Sequence, residues 1–212
     1  MQQVWDFIQT LTDPKSIITY GGLFLLLFVI YAENGLIIGF FFPGDSLVFL
    51  SGLICATRPE LLDVNLFTLV LALITAAVLG SLSGYWFGMS VGPPLFERKD
   101  SVIFKKQYLE VTRAFYEKHG SKTLIIGRFL PMIRTFSPIL AGVIRVNFRT
   151  FMIVNVVGAV LWIVSLCCAG YFLGDRFPFV EENIGYIIIG FILVTTLVVM
   201  RSFIQTRRER RN

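Results

Sequence analysis

The 212 residues are 55% hydrophobic and 15% aromatic but only 16% charged, and their mean hydropathy is +0.73. A soluble domain is about 25% charged, so this chain lacks the polar side chains to cover a water-facing surface. That excludes a disordered chain, a disulfide scaffold and an ordinary soluble enzyme, and leaves an all-α polytopic membrane protein, one membrane domain over residues 1–212.

Residues 1–15 carry Asp6, Asp13 and only Lys15. No basic segment therefore precedes the first apolar run as a cleavable signal requires, and that run is expected to stay in the mature protein. Residues 16–32 follow as a crossing helix of marginal length. Residues 34–56 are about as long as one crossing, but Pro43-Gly44 breaks them at the middle. Two half-helices that dip in and return on the same side satisfy that pattern, because broken backbone at membrane depth survives only where protein or a water-filled cavity satisfies it. The loop around Arg58, Glu60 and Asp63 is acidic on balance, and residues 64–91 form an uncharged long helix. Within it Ala72, Ala76, Gly80, Gly84, Gly88 and Gly92 set a small residue at every fourth position. Such a stripe serves close packing or a smooth track for a lipid tail, and suits a homodimer and intramolecular packing equally.

Residues 92–122 hold Arg98, Lys99, Lys105, Lys106, Arg113, Lys118 and Lys122, a basic cytoplasmic amphipathic segment lying on anionic lipid. Residues 123–144 repeat the broken pattern, with Pro131 and Ser137-Pro138 as the breaks; residues 147–174 form a second long helix and residues 183–201 a last crossing. The tail, 202–212, is again basic and is expected in the cytoplasm. Charge of this kind could also contact nucleic acid, but no aromatic-basic fold surrounds it, and no nucleic-acid partner is expected.

The order recurs. Phe41-Phe42-Pro43 corresponds to Phe129-Leu130-Pro131, Gly52 to Gly142, and Gly84-Tyr85-Trp86-Phe87-Gly88 to Gly170-Tyr171-Phe172-Leu173-Gly174. Charge asymmetry gives the two copies opposite orientations. The expected architecture is therefore an inverted repeat, 16–91 and 123–174, with two oppositely oriented re-entrant helical hairpins plus transmembrane helices.

Four charges fall at or near the breaks: Glu33, Asp45, Arg128 and Arg134. Each costs about 2.5–3.5 kcal/mol at the bilayer centre, so they must pair, reach water or serve a substrate. With acids in one repeat and arginines in the other, pairing between repeats is one reading and a role in transport the other. For transport, Asp45-Ser46 would cap the returning half-helix and Ser137-Pro138 would start its counterpart. The facing positive dipole ends would then receive an anionic head group, gripped by Arg128 and Arg134 with help from Ser46 and Thr135. Glu33 and Asp45 would titrate and couple movement to protons.

No catalytic constellation accompanies these charges. Leu82 occupies the nucleophile position of Gly80-Ser81-Leu82-Ser83-Gly84, and GxGD is absent. His119 stands without a Ser, Cys or metal-ligand cluster. Cys55, Cys167 and Cys168 have no CxxC spacing and read as small apolar core residues. No enzyme activity, metal or cofactor is expected.

The residues together resemble the DedA family of bacterial inner-membrane proteins, within a group that includes eukaryotic lipid scramblases. The resemblance runs over residues 20–175 and is carried by Glu33 with Phe42-Pro43-Gly44-Asp45, Gly84-Tyr85-Trp86-Phe87-Gly88, His119-Gly120, Gly127-Arg128-Phe129-Leu130-Pro131-Met132-Ile133-Arg134-Thr135, Pro138, Ala141-Gly142, Asn155, Gly158, Trp162 and Gly170-Tyr171. It departs at Ser81, where many members have Asp. The resemblance implies two opposed re-entrant hairpins and translocation of undecaprenyl phosphate or phosphatidylethanolamine across the cytoplasmic membrane. It makes Glu33 and Asp45 the proton-responsive acids and Arg128 and Arg134 the phosphate-binding bases. The rival expectations are a proton-coupled exporter of a small cation and a non-transporting membrane-assembly scaffold.

Overall fold

A computed structural model describes residues 14–36, 43–97 and 131–176, all helix or short connection with no strand among them. Five α-helices follow in order: α1 Pro14–Gly35, α2 Gly44–Thr57, α3 Leu66–Glu97, α4 Pro131–Val143 and α5 Phe148–Arg176. A 3-10 turn, Pro59–Leu61, joins α2 toward α3. The earlier limbs of both expected hairpins (37–42 and 123–130), the remainder of the basic segment from 98, the last crossing 183–201 and the tail 202–212 lie outside the described residues.

Length divides the helices into two kinds. The apolar parts of α3 (Leu66–Val91, 26 residues) and of α5 (29 residues) reach about 39 and 44 Å at about 1.5 Å per residue, enough for a hydrocarbon core of about 30 Å. Helix α2 (14 residues) reaches only about 20 Å and cannot cross alone, and α4 is described over 13 residues. Helix α1 has 22 residues but is kinked at Gly22, whose φ of 55° only glycine adopts readily.

Both long helices begin in the same way. Asn65 accepts the Thr68 amide at 2.8 Å, and Asn147 accepts those of Arg149 and Thr150 at 3.0 and 3.3 Å. Each asparagine caps its helix by satisfying amides that lack an intrahelical partner. Each follows a valine and, before that, a non-glycine residue at positive φ: Asp63 (51°) and Arg145 (53°). The sequences Asp63-Val64-Asn65-Leu66-Phe67-Thr68 and Arg145-Val146-Asn147-Phe148-Arg149-Thr150 thus share one local geometry.

The short helices cross over. Helix α2 packs chiefly on α5, and α4 chiefly on α3. In the first crossing Gly52 faces the Cys167 carbonyl and Gly170 the Phe49 carbonyl. In the second Gly142 faces the Tyr85 carbonyl and Gly88 the Ile139 carbonyl. A Cβ at any of the four would collide with the partner's backbone, so hydrogen at that position is what lets the backbones meet. The stripe on α3 is spent in this manner: Gly80 lies under Tyr31 of α1, and Gly84 and Gly88 lie under α4.

The main apolar core lies between α1, α2, α3 and α5, around Leu26, Ile30, Leu47, Leu53, Leu73, Ile163 and Cys167. Large apolar side chains remain exposed along both long helices, among them Phe67, Leu79, Trp86 and Phe87 on α3 and Ile153, Leu161 and Phe172 on α5.

Two expectations need correction. Asp45-Ser46 does not cap α2: the helix starts at Gly44, Pro43 is its N-cap, and no side chain caps it. Asp45 sits in the first turn with its carboxylate engaged elsewhere, as described below. Likewise Ser137-Pro138 does not start a helix. Helix α4, described from Pro131, runs on through Pro138.

Candidate functional site: a buried arginine between two carboxylates

Helices α1, α2, α4 and α5 bring four side chains together. Arg134 of α4 donates through Nη1 to Asp45 Oδ1 at 2.6 Å and through Nη2 to Glu33 Oε1. Asp45 comes from the first turn of α2, so the two short helices meet at this ion pair. The Trp162 indole of α5 donates to the same Asp45 oxygen at 2.8 Å, and the guanidinium carbon lies 4.1 Å from the centre of the Trp162 ring. Trp162 therefore holds the acid by its N–H and the base by its π face.

Burial makes this pairing compulsory. Glu33 is 3% exposed and Arg134 4%; an unpaired charge at such positions costs far more than a pair. The Glu33 carboxylate lies directly against Gly44, where a Cβ would overlap it. The glycine after Pro43 is thus required for the approach of Glu33 to the amino end of α2, where the helix dipole favours a negative group. Trp162 is midway along α5, which sets the cluster at the middle depth of a helix long enough to cross a bilayer.

Two carboxylates share one guanidinium, and the cluster is not saturated. Glu33 Oε2 and Arg134 Nε are buried without a hydrogen-bond partner, as is Asn34 Oδ1 beside them. Next to Arg134 lies a cavity of about 20 Å³, with Ser81 of α3, Ser137 of α4 and Asn155 of α5 in its polar lining. Asn155 also donates to the Val78 carbonyl at 3.2 Å, which ties α5 to α3 beside the cavity.

Of the residues singled out in the sequence, Glu33, Asp45 and Arg134 meet directly. Thr135 and Ser46 are buried next to Arg134 and Asp45 in the chain, with no bond joining them to the cluster. Pro43 and Gly44 set the start of α2, and Arg128 lies outside the described residues. Sequence reasoning gave no site role to Trp162, Ser81 or Asn155, and gave Ser137 only the start of a half-helix. The signal for two of them was present: Asn155 and Trp162 are seven residues apart, one face of a helix, and a polar asparagine in an uncharged span needs a partner. Among the described residues no group of His, Cys, Asp and Glu could hold a metal ion. Cys55 and Cys167 are buried free thiols, and Cys168 is half-buried and also free.

Known proteins resemble this chain over most of its length. The VTT domain model matches residues 42–172, a stretch that includes Asp45, Arg134 and Trp162. Protein DedA of Escherichia coli K12 is 40% identical over 189 residues, covering 89% of this chain and 84% of its own length. An uncharacterized membrane protein of Mycobacterium tuberculosis H37Rv is 38% identical over 187 residues, covering 88% and 81%. The inner membrane protein YqjA of Escherichia coli K12 is 34% identical over 184 residues, covering 85% and 80%. No solved structure matches.

Proposed function

This chain belongs to the DedA family of VTT-domain membrane proteins, and from that premise we propose that it moves a phosphate-bearing lipid across the bacterial cytoplasmic membrane. The lipid is of the undecaprenyl phosphate or phosphatidylethanolamine class, and protons drive or gate the movement. One observation carries the reading: a guanidinium buried at the middle of the long helices, held by two carboxylates from two other helices. A group bound only for stability would be cheaper as an apolar side chain. A guanidinium with two exchangeable acids instead has a release mechanism. A proton on Glu33 or Asp45 frees a donor pair of the geometry that grips a phosphate, and loss of that proton takes the donors back. The acyl or prenyl tails stay in the bilayer while the head group passes the cluster.

The same reading completes the architecture as an inverted repeat with two opposed re-entrant hairpins and the carboxyl terminus in the cytoplasm. Supporting it are helix α2, too short to cross, the matching asparagine starts of α3 and α5, and the reciprocal crossing of α2 on α5 and α4 on α3. Arg128 is assigned the second phosphate contact.

The test is flipping of labelled undecaprenyl phosphate and phosphatidylethanolamine in proteoliposomes, with and without a proton gradient. Flipping above empty liposomes is expected for the natural chain, with loss of most of it in Arg134→Lys and loss of its gradient dependence in Glu33→Gln. A folded chain that flips neither lipid would sink the reading. A small cation moved in its place would favour a proton-coupled exporter.

A further inference from the structure

The cavity beside Arg134 is small, and it sets polar groups among the apolar Pro138, Phe151 and Val154. Its volume of about 20 Å³ admits one water-sized atom, since a cavity needs about 10–15 Å³ to hold one. Arg134 is the charged residue in its lining, and the guanidinium nitrogen it has left is Nε, buried and without a partner. Ser81 and Ser137 bring a hydroxyl each and Asn155 an amide. Ser81, Asn155 and Arg134 are at least 96% buried, whereas Ser137 is half-buried and marks the side of access. Ser81 also stands near the middle of α3, so the cavity shares the depth of the ion cluster.

We propose that this cavity is the seat of one anionic oxygen of a phosphate group, held by Arg134 Nε and the Ser81 and Ser137 hydroxyls, with Asn155 as its floor. The assignment rests on the lipid-transport reading and names the residues that would bind the head group. It gives Arg134 two faces: Nη1 and Nη2 turned to the carboxylates, and Nε turned to the substrate. The volume takes a single non-bridging oxygen and excludes a whole phosphate, so the rest of the head group stays outside with its tails. The charged groups facing the seat among the described residues are Arg134 from α4, with Glu33 of α1 and Asp45 of α2 behind it; α3 and α5 contribute only neutral side chains. While both acids are ionised they outweigh Arg134, and the seat suits water. With one acid protonated the charges balance, and an anionic oxygen replaces the water.

The experiment uses the full chain in detergent and three probes: farnesyl phosphate, inorganic phosphate, and farnesol as the phosphate-free control. Binding is read by thermal protection and by calorimetry. Farnesyl phosphate is expected to bind and farnesol to fail. Ser81→Ala and Ser137→Ala are each expected to weaken binding about tenfold, the loss of one hydrogen bond to a charged group. Ser81→Val, which fills the seat, is expected to abolish it. Ser137 is half-buried, so its variant keeps the test open if a Ser81 variant fails to fold. Binding of inorganic phosphate as tight as that of farnesyl phosphate supports the seat and makes free phosphate its ligand. Weaker binding supports the seat with a lipid head group. Unchanged affinity in folded Ser137→Ala and Ser81→Ala overturns it, as does a natural chain that binds no probe. Lipid flipping by the natural chain that is lost in Arg134→Lys would leave the transport reading standing in either of those cases.

Discussion

The two short helices are alike in backbone and opposite in chemistry. Helices α2 and α4, described over 14 and 13 residues, each lie across a long helix of the other half through facing glycines. Yet α2 is buried along most of its length in the main core and carries an acid, whereas α4 carries the arginine and borders the polar cavity. The difference shows that neither half can bury its own charge. Glu33 and Asp45 in one half are two anions without a cation, and Arg134 in the other is a cation whose partners come from 101 and 89 residues away. Backbone packing is shared between the halves, and neutralisation is divided between them.

The harshest way to break the comparison is to remove the shared cation. Arg134→Ala leaves the buried Glu33 and the partly exposed Asp45 without their cation and is expected to cost about 3–5 kcal/mol, seen as a lower melting temperature in detergent. A melting temperature equal to that of the natural chain would mean that the acids have another partner. Next come the crossings. Gly52→Ala and Gly142→Ala should each cost about 1–3 kcal/mol by forcing backbones apart, and by similar amounts. A large cost at one and none at the other would show that the two crossings are not equivalent. Trp162→Phe keeps the ring over Arg134 but removes the hydrogen bond to Asp45, an expected loss of about 1.5–3 kcal/mol. Trp162→Ala, which loses the π face as well, should cost more, so equal melting of the two variants would deny the ring any part. The smallest effect is expected at the helix caps. Asn65→Ala and Asn147→Ala should each lower stability by about 1 kcal/mol, and a matched pair of shifts would sharpen the likeness between the two helix starts.

Much of this was legible before any fold was known. The uncharged runs from residue 64 and from residue 150 announced α3 and α5, because 20 or more apolar residues have few other uses. Pro43-Gly44 announced the start of α2 because proline limits backbone geometry wherever it stands. The four interior charges announced a polar cluster by their cost alone. Pro138 misled for the same local reason: a proline reads as a break, but within α4 the neighbours that pack on it settle the matter, and Gly84 of α3, which lies against Pro138, is outside any local window. Asp45 misled in a second way. An aspartate just after a break fits an N-cap, and only the arrival of Arg134 and Trp162 from distant helices turns its carboxylate to another use.

The sequence by itself determined the membrane class, the two long helices and the need to pair buried charge, because these follow from composition and from energies that act on each segment separately. Tertiary structure alone decided that one arginine serves both acids, that Trp162 holds acid and base together, that Gly44 makes room for Glu33, and that a small cavity opens beside Arg134. Those are matters of which segments meet, for the ion cluster across about a hundred residues. No periodicity within a helix carries that information, because it lies in how whole helices cross.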